Sequence, residues 1–327
     1  MDQVFGCYNK MFKHIVYLLA FLSLISTGQS LAQQTAQPKG EPAELKDLIQ
    51  RAGSRLDEYR TGFKDLIAEE EQRIEEYDSQ GKLEEERRIA SDLIIYQSQL
   101  DPTQIVEYRD VKSVDGVAVK KREARLVDLL NKSAKAESVK KELERINRES
   151  RRYDLNYSFY GMTLNQGLLL LGNIRDSFQF KFAGREQVNG RDAVVIEYQQ
   201  VSPNPDIAMK LSSLPSELKG AETRYHGRLW LDAKTVQLRR EVREMTLEHP
   251  SLSRPLIIMR YEFDYADSRF GFLTPKRIVI STYNRGRNGA GKKPELLLGG
   301  RTTFEYSAFT RFTVNPPDAS ISPPAKP

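Results

Sequence analysis

Few residues in this sequence have types and spacings that suggest chemistry. Gly286 and Gly291 stand with four residues between them and are followed by Lys292 and Lys293, one step short of a phosphate-binding loop. Such a loop needs Ser or Thr where Lys293 stands, to hold magnesium, and a helix opening onto the phosphates. Pro294 follows instead, so the stretch reads as a flexible hairpin loop. His226 and His249 are the only histidines beyond residue 14. Neither has a His or carboxylate at a helical ligand spacing, and both read as surface residues beside a strand start and a turn. There is no Gly-x-Ser-x-Gly elbow, and two scattered histidines leave little to build a triad from. Asp110, Asp115 and Glu123 could form an acid pair. Asp115 belongs to a turn with Gly116, however, and Glu123 to a first helical turn, where carboxylates favour the helix dipole. Glu69, Glu70, Glu71, Glu75 and Glu76 suggest a cation cluster, but on a helix adjacent residues diverge, and a solvated face is the simpler reading. Trp230, Met259, Tyr261 and Phe263 could line an apolar ligand pocket, although an ordinary core has the same composition. No catalytic constellation emerges, and neither a cofactor nor a metal is expected.

The first thirty or so residues read as a secretory signal peptide. Lys10 and Lys13 precede an apolar run from Ile15 to Leu22 that continues through Leu24 and Ile25. A run of about 11 residues rising ~1.5 Å each cannot cross a hydrocarbon layer ~30 Å thick, which suits a signal peptide better than an anchor. Ser30-Leu31-Ala32 offers small residues for cleavage after Ala32, and Met11 offers an alternative start. The one cysteine, Cys7, precedes the apolar run, so neither a lipid anchor after the run nor a thiolate site in the exported part is expected. The destination expected is the periplasm, with the external medium as the alternative, and no membrane span is expected after cleavage.

Lys and Arg number 50 against 45 Asp and Glu, and the small excess is dispersed, which argues against a nucleic-acid partner. With 39% hydrophobic and 29% charged residues the composition is that of a folded domain rich in solvated surface.

The elements that would position these residues follow from periodicity. After a linker from 33 to 42, apolar residues from Leu45 to Tyr77 recur every three or four positions, predicting one long helix with a break near Gly62. Ile89–Tyr96 and Ile105–Val111 read as strands parted by Asp101-Pro102, and Asp115-Gly116 as a tight turn. Arg122–Leu130, Glu137–Arg152 and Leu164–Leu171 read as helices. From Phe178 the period becomes two: Phe178, Phe180 and Phe182, a turn at Asn189-Gly190, then strands around Ala193–Tyr198, Leu229–Leu231, Val236–Leu247, Ile257–Tyr265, Ile278–Tyr283 and Phe304–Val314. The division expected is therefore a signal over 1–32, a mainly helical part with two or so strands over 43–172, an antiparallel sheet over 173–315 packed with it as one domain, and a disordered Pro-rich tail over 316–327. The fold class is α+β: a curved antiparallel sheet, half-barrel-like, covered on one face by the N-terminal and central helices.

Three segments carry a resemblance: GREQVNGRDAVV from Gly184 to Val195, GRLWLDAKTVQLRR from Gly227 to Arg240, and Tyr261–Pro275 closing on FGFLTP. Their order of strands and turns resembles the half-barrel of the bacterial lipoprotein carrier and outer-membrane lipoprotein receptor superfamily. Tyr108–Leu126 and Tyr306–Val314 are similar instead to uncharacterised exported bacterial proteins. The resemblance implies an apolar cavity between sheet and helices able to hold an acyl chain, and no catalysis. The long acidic stretch before the sheet departs from the compact carrier. Together these readings lead to the expectation of a non-catalytic extracytoplasmic binding protein for an apolar, lipid or lipoprotein-type ligand. A scaffold docking an envelope protein is the alternative, and a hydrolase comes third.

Overall fold

The computed structural model describes residues 43–98, 100–101, 104–156, 158–208, 218–285, 296–311, 313–314 and 321–322. The stretches expected to be a signal peptide and linker, 1–42, and the expected glycine loop, 286–295, lie outside the described residues.

Helix α1 (Ala43–Gly62) buries Leu45, Ile49, Ala52, Leu56 and Tyr59, a stripe at the helical spacing. It stops at Gly62, where a Cβ would meet the Phe272 ring at 2.8 Å, and Asp65 then turns the backbone to φ 54°. The helix expected to reach Tyr77 therefore ends early, and the next segment is strand β1 (Leu66–Tyr77). Leu66, Ala68, Glu70, Gln72 and Ile74 point inward and are buried, while Glu69, Glu71 and Arg73 point outward. The two-residue period was hidden because two inward positions are polar.

β1 is followed by β2 (Leu83–Gln97), β3 (Ile105–Val114) and the short β4 (Val117–Ala118), the last joined through Asp115 and Gly116 at φ 50° and 78°. Helices α2 (Arg122–Ala134) and α3 (Val139–Ser150) come next, the latter capped by Ser138, whose hydroxyl accepts the Lys141 N–H at 3.3 Å. The helix expected over Leu164–Leu171 is two 3-10 turns, Thr163–Asn165 and Leu168–Leu170, ahead of the single-turn α4 (Gly172–Arg175).

Seven long strands then run as a meander: β5 (Phe178–Val188), β6 (Arg191–Gln200), β7 (Glu222–Asp232), β8 (Leu238–Glu248), β9 (Leu256–Ala266), β10 (Thr274–Arg285) and β11 (Leu296–Arg311). Asn189 and Gly190, at φ 50° and 73°, make the β5–β6 turn. Asp232 Oδ1 accepts the backbone N–H groups of Lys234 and Thr235, both at 2.9 Å, and so shapes the β7–β8 turn. A two-residue ladder joins β12 (Thr313–Val314) to β13 (Ile321–Ser322), so part of the tail expected to be disordered is paired.

The sheet is one curved, open layer of eleven strands in the order β4-β3-β2-β1-β11-β10-β9-β8-β7-β6-β5. Two meanders meet where β1 pairs antiparallel with β11, for example Glu70 with Tyr306 and Gln72 with Phe304. Strands of the first half thus enter the same sheet as the second, and residue 173 does not separate helix from sheet. The largest core lies on the concave side, where α1 and residues 159–174 pack on rows such as Tyr261, Phe263 and Tyr265 of β9 and Phe304 and Tyr306 of β11. In β2, Leu93 and Ile95 join this core, whereas Ile94 and Tyr96 face the other way and pack with Val106, Tyr108, Leu129 and Ile146. The helices are therefore divided: α1 covers the concave face, and α2 with α3 covers the opposite face of β2 and β3.

Candidate functional site

The concavity is where the resemblance implies a cavity, and it is filled. Two free spaces among its described residues measure about 20 Å³, beside Leu56, Tyr59, Gly167 and Leu238, and about 10 Å³, beside Leu169, Ile174 and Phe178. Neither exceeds the room of about one water. Neither space would hold an acyl chain while α1 and the 3-10 segment are seated. Met259, Tyr261 and Phe263 are buried in this packed core. Trp230 belongs to the other face: its neighbours Leu229 and Leu231 join the concave core, whereas Trp230 packs with Val188, Ala193 and Val195. The four residues proposed as one wall are thus split, three inside and one across the sheet.

The roomy feature is a furrow of about 1040 Å³, open to solvent, at the end of the sheet where β5, β7 and β9 begin. Its lining mixes Phe178, Phe180, Trp230 and Val242 with Lys181, Arg228, His226, Glu244 and Arg260. The Trp230 indole is held by its own N–H, which donates to Glu186 at 2.8 Å, and the Arg240 guanidinium lies 5.2 Å from the ring centre. Polar groups pair across strands: Arg228 with Glu197 at 2.6 Å, Arg260 with Glu244 at 2.6 Å, and the His226 ring with Glu244 at 2.9 Å. At Gly227 a Cβ would stand 1.9 Å from the Val242 carbonyl oxygen and 2.7 Å from the Tyr198 hydroxyl, so only glycine lets Tyr198 cross this strand. The furrow offers rings, charges and space.

The remaining candidates find structural roles. Asp110 accepts from Arg122 at 2.6 Å, and Arg122 also reaches Asp92, which pins α2 to β2 and β3. Asp115 accepts the Arg88 N–H at 2.8 Å in its turn. His249 and Ser251 approach to 2.7 Å, but the same ring nitrogen accepts the Ser251 backbone N–H at 3.2 Å, so the imidazole caps a turn. Among the described residues no three His, Cys, Asp or Glu side chains converge as a metal site, and no helix is long and apolar enough to cross a membrane.

Two buried polar centres on the concave side escaped the sequence reading. On β8, Arg243 donates to Glu241 at 2.7 Å and to the Asn165 carbonyl at 3.1 Å, while the Gly167 N–H donates to Glu241 at 3.1 Å. One positive and one negative group are matched, and the guanidinium lies 5.3 Å from the Phe263 ring centre. The other centre joins β1 and β3. Arg109 donates to both oxygens of Glu70, and both side chains are at most 3% exposed. Glu107 and Asp154 lie in the same buried environment, so three carboxylates share one guanidinium. Burial, and then the neighbouring Glu70 charge, push the Glu107 carboxyl up to about 7 against the opposing pull of Arg109 and Thr163. Burial likewise raises Asp154. The signal was present in Ile105–Val111, where both parities are apolar apart from Glu107, Arg109 and Asp110: a strand covered on both faces must bury whatever polar residues it holds.

Compared with protein-family models and with curated proteins, the sequence finds no match. Among solved structures it is similar to a DUF1329 family protein from Desulfovibrio piger, at 12% identity and a TM-score of 0.36, over 81% of this chain and 92% of that one. It is also similar to a LolA superfamily protein from Nitrosomonas europaea, at 10% identity and a TM-score of 0.29, over 81% of this chain and 92% of that one. At such scores the likeness carries no statement about activity.

Proposed function

We propose that this chain is a non-catalytic, exported binding protein whose ligand lies in the furrow across β5 to β9. The observation that carries the reading is the furrow itself: about 1040 Å³ of open space with aromatic surface beside paired charges, in a molecule whose concavity is full. Sites of this size hold small amphipathic molecules, with apolar walls supplying the affinity and a few polar groups fixing the orientation. Phe178, Phe180, Trp230 and Val242 would take an apolar chain, and Lys181, Arg228 and Arg260 the anionic end of a fatty acid or lipid.

Trp230 is the only tryptophan in the sequence and so reports on this site alone. Titrating delipidated protein with a fatty acid while recording indole emission should give a saturable shift. Lys181→Glu and Arg228→Glu should each weaken it at least tenfold, a difference of about 1.4 kcal/mol. A linear, unsaturated response that these substitutions leave unchanged would rule out the ligand. The packed concavity favours one further reading, a scaffold that docks an envelope protein on the same face. In that case the furrow substitutions would abolish capture of a stoichiometric envelope partner while fatty acid has no effect.

A further inference from the structure

The segment that fills the concavity is fastened to the sheet by carboxylates rather than by apolar contacts alone. Asn156 donates its backbone N–H to Glu76 of β1 at 2.7 Å, Gln72 of β1 donates to Asp154 at 3.5 Å, and Thr163 donates to Glu107 of β3 at 3.2 Å. Tyr59 of α1 donates to the Thr163 carbonyl at 2.8 Å, so the helix and the segment are tied at one residue. Between these pins the chain passes Gly161 and Gly167 in left-handed backbone, φ 69° and 53°, on either side of the 3-10 turn Thr163–Asn165. A Cβ at Gly161 would lie 4.0 Å from Glu107 Oε2, so the backbone runs directly over this carboxyl.

Every element around Glu107 presents a polar group to it: Glu70 from β1, Arg109 from β3, Tyr306 from β11, Tyr59 from α1, Thr163 from the 3-10 turn, and Asp154, through Arg109, from the stretch after α3. Only Arg109 is a cation. Ser91 stands directly across from Glu70 on the same face, fully buried, and its hydroxyl has no partner among the described residues. The buried Gln72 carbonyl oxygen, next along β1 on this face, also lacks one. A centre holding excess carboxylate together with unmatched polar atoms is not closed as drawn by its protein groups.

We infer that the Glu70–Glu107–Arg109–Asp154 centre binds a proton and uses it as a latch on residues 154–165. With the proton on Glu107, the carboxyl is neutral and leaves Arg109 to Glu70, while it still accepts the Thr163 hydroxyl as the ionised form would. Without it, a second negative charge faces Glu70 in a dry site. The cheapest relief is for the turn between the two left-handed glycines to lift and admit water, which uncovers the aromatic floor of the concavity. The direction follows from linkage. The folded chain holds a proton here that the unfolded or opened chain releases from about its ordinary value of 4.5, so the latch is firm at low pH and weakens as pH rises through about 7. This inference stands independently of the furrow.

Amide hydrogen exchange on the full exported chain at pH 5 and pH 8, corrected for intrinsic rates, reads the latch directly. Residues 158–171 should open at least about tenfold more often at pH 8, the factor that one unit of linkage gives, while β8 and β9 keep their protection. Glu107→Gln should remove this difference and hold the segment closed at both pH values. Equal protection of 158–171 at both pH values, or loss of protection spread evenly over β8 and β9, overturns the latch. So does an undiminished pH response in the variant. If Glu107→Gln does not fold, a carboxyl-carbon NMR titration of the unaltered protein decides: a glutamate titrating near neutrality supports the inference, and titration of all carboxyls below pH 5 defeats it.

Discussion

The two buried arginine centres use the same parts to different ends. Arg243 with Glu241 and Arg109 with Glu70 are both sunk on the concave side, and each guanidinium lies over a ring, Phe263 at 5.3 Å and Phe304 at 5.2 Å. Around the first, the backbone of the covering segment supplies one donor, Gly167 N–H, and one acceptor, Asn165 C=O, so charge and hydrogen bonds both close. Around the second, the covering segment brings a further carboxylate, Asp154, and β3 itself adds Glu107. A matched ion pair is a fixed anchor, whereas an over-acidic one has to exchange protons with its surroundings. Which of these a buried arginine becomes depends on what the next layer of chain contributes.

The contrast predicts opposite responses to the same substitution. Glu241→Gln strands Arg243 without its counter-charge and should cost about 3 to 5 kcal/mol in urea unfolding at pH 8, if the variant folds at all. Glu107→Gln should instead stabilise at pH 8, by about 3 kcal/mol, since above about 7 the native chain must bury an ionised carboxylate whose ordinary value is 4.5. That gain should shrink to nothing as the pH falls below about 4.5, and a loss of stability at every pH would mean the two centres are alike. Gly227→Ala sharpens the comparison from the far side. It drives Tyr198 off its path beside Glu241, where the hydroxyl stands 3.4 Å from the carboxylate, and should cost about 1 to 3 kcal/mol through overpacking. Arg228→Ala on the open face removes a solvated pair and should change stability by less than about 1 kcal/mol, while still weakening any furrow ligand.

Much of the sheet was legible in the sequence because its turns and its alternation are local. Asn189-Gly190, Asp115-Gly116 and the Met259 to Tyr265 row are each read within a few residues. The stretch from Leu66 to Tyr77 was not, since Glu70 and Gln72 occupy inward positions where alternation demands apolar side chains, and their burial depends on Arg109 and Asp154, far along the chain. The glutamates taken for a solvated face include two, Glu70 and Glu76, that bind inside the molecule. The site was half legible for the same reason. Trp230 was singled out by its type, but which face of the sheet it joins depends on strand register, and the filled concavity depends on tertiary packing that periodicity does not encode.

The pairing of β1 with β11 has a consequence for how the chain reaches its native state. The first long strand and the last one are neighbours, as in Glu70 with Tyr306, so the two meanders can each zip locally but cannot be joined until residues 296–311 have emerged. Closing that seam means closing a loop of most of the chain, the kind of non-local step that slows folding. Until it closes, β1 presents a bare edge able to pair with a neighbouring molecule. A chain truncated before Leu296 is accordingly predicted to keep its hairpins and to aggregate through that edge.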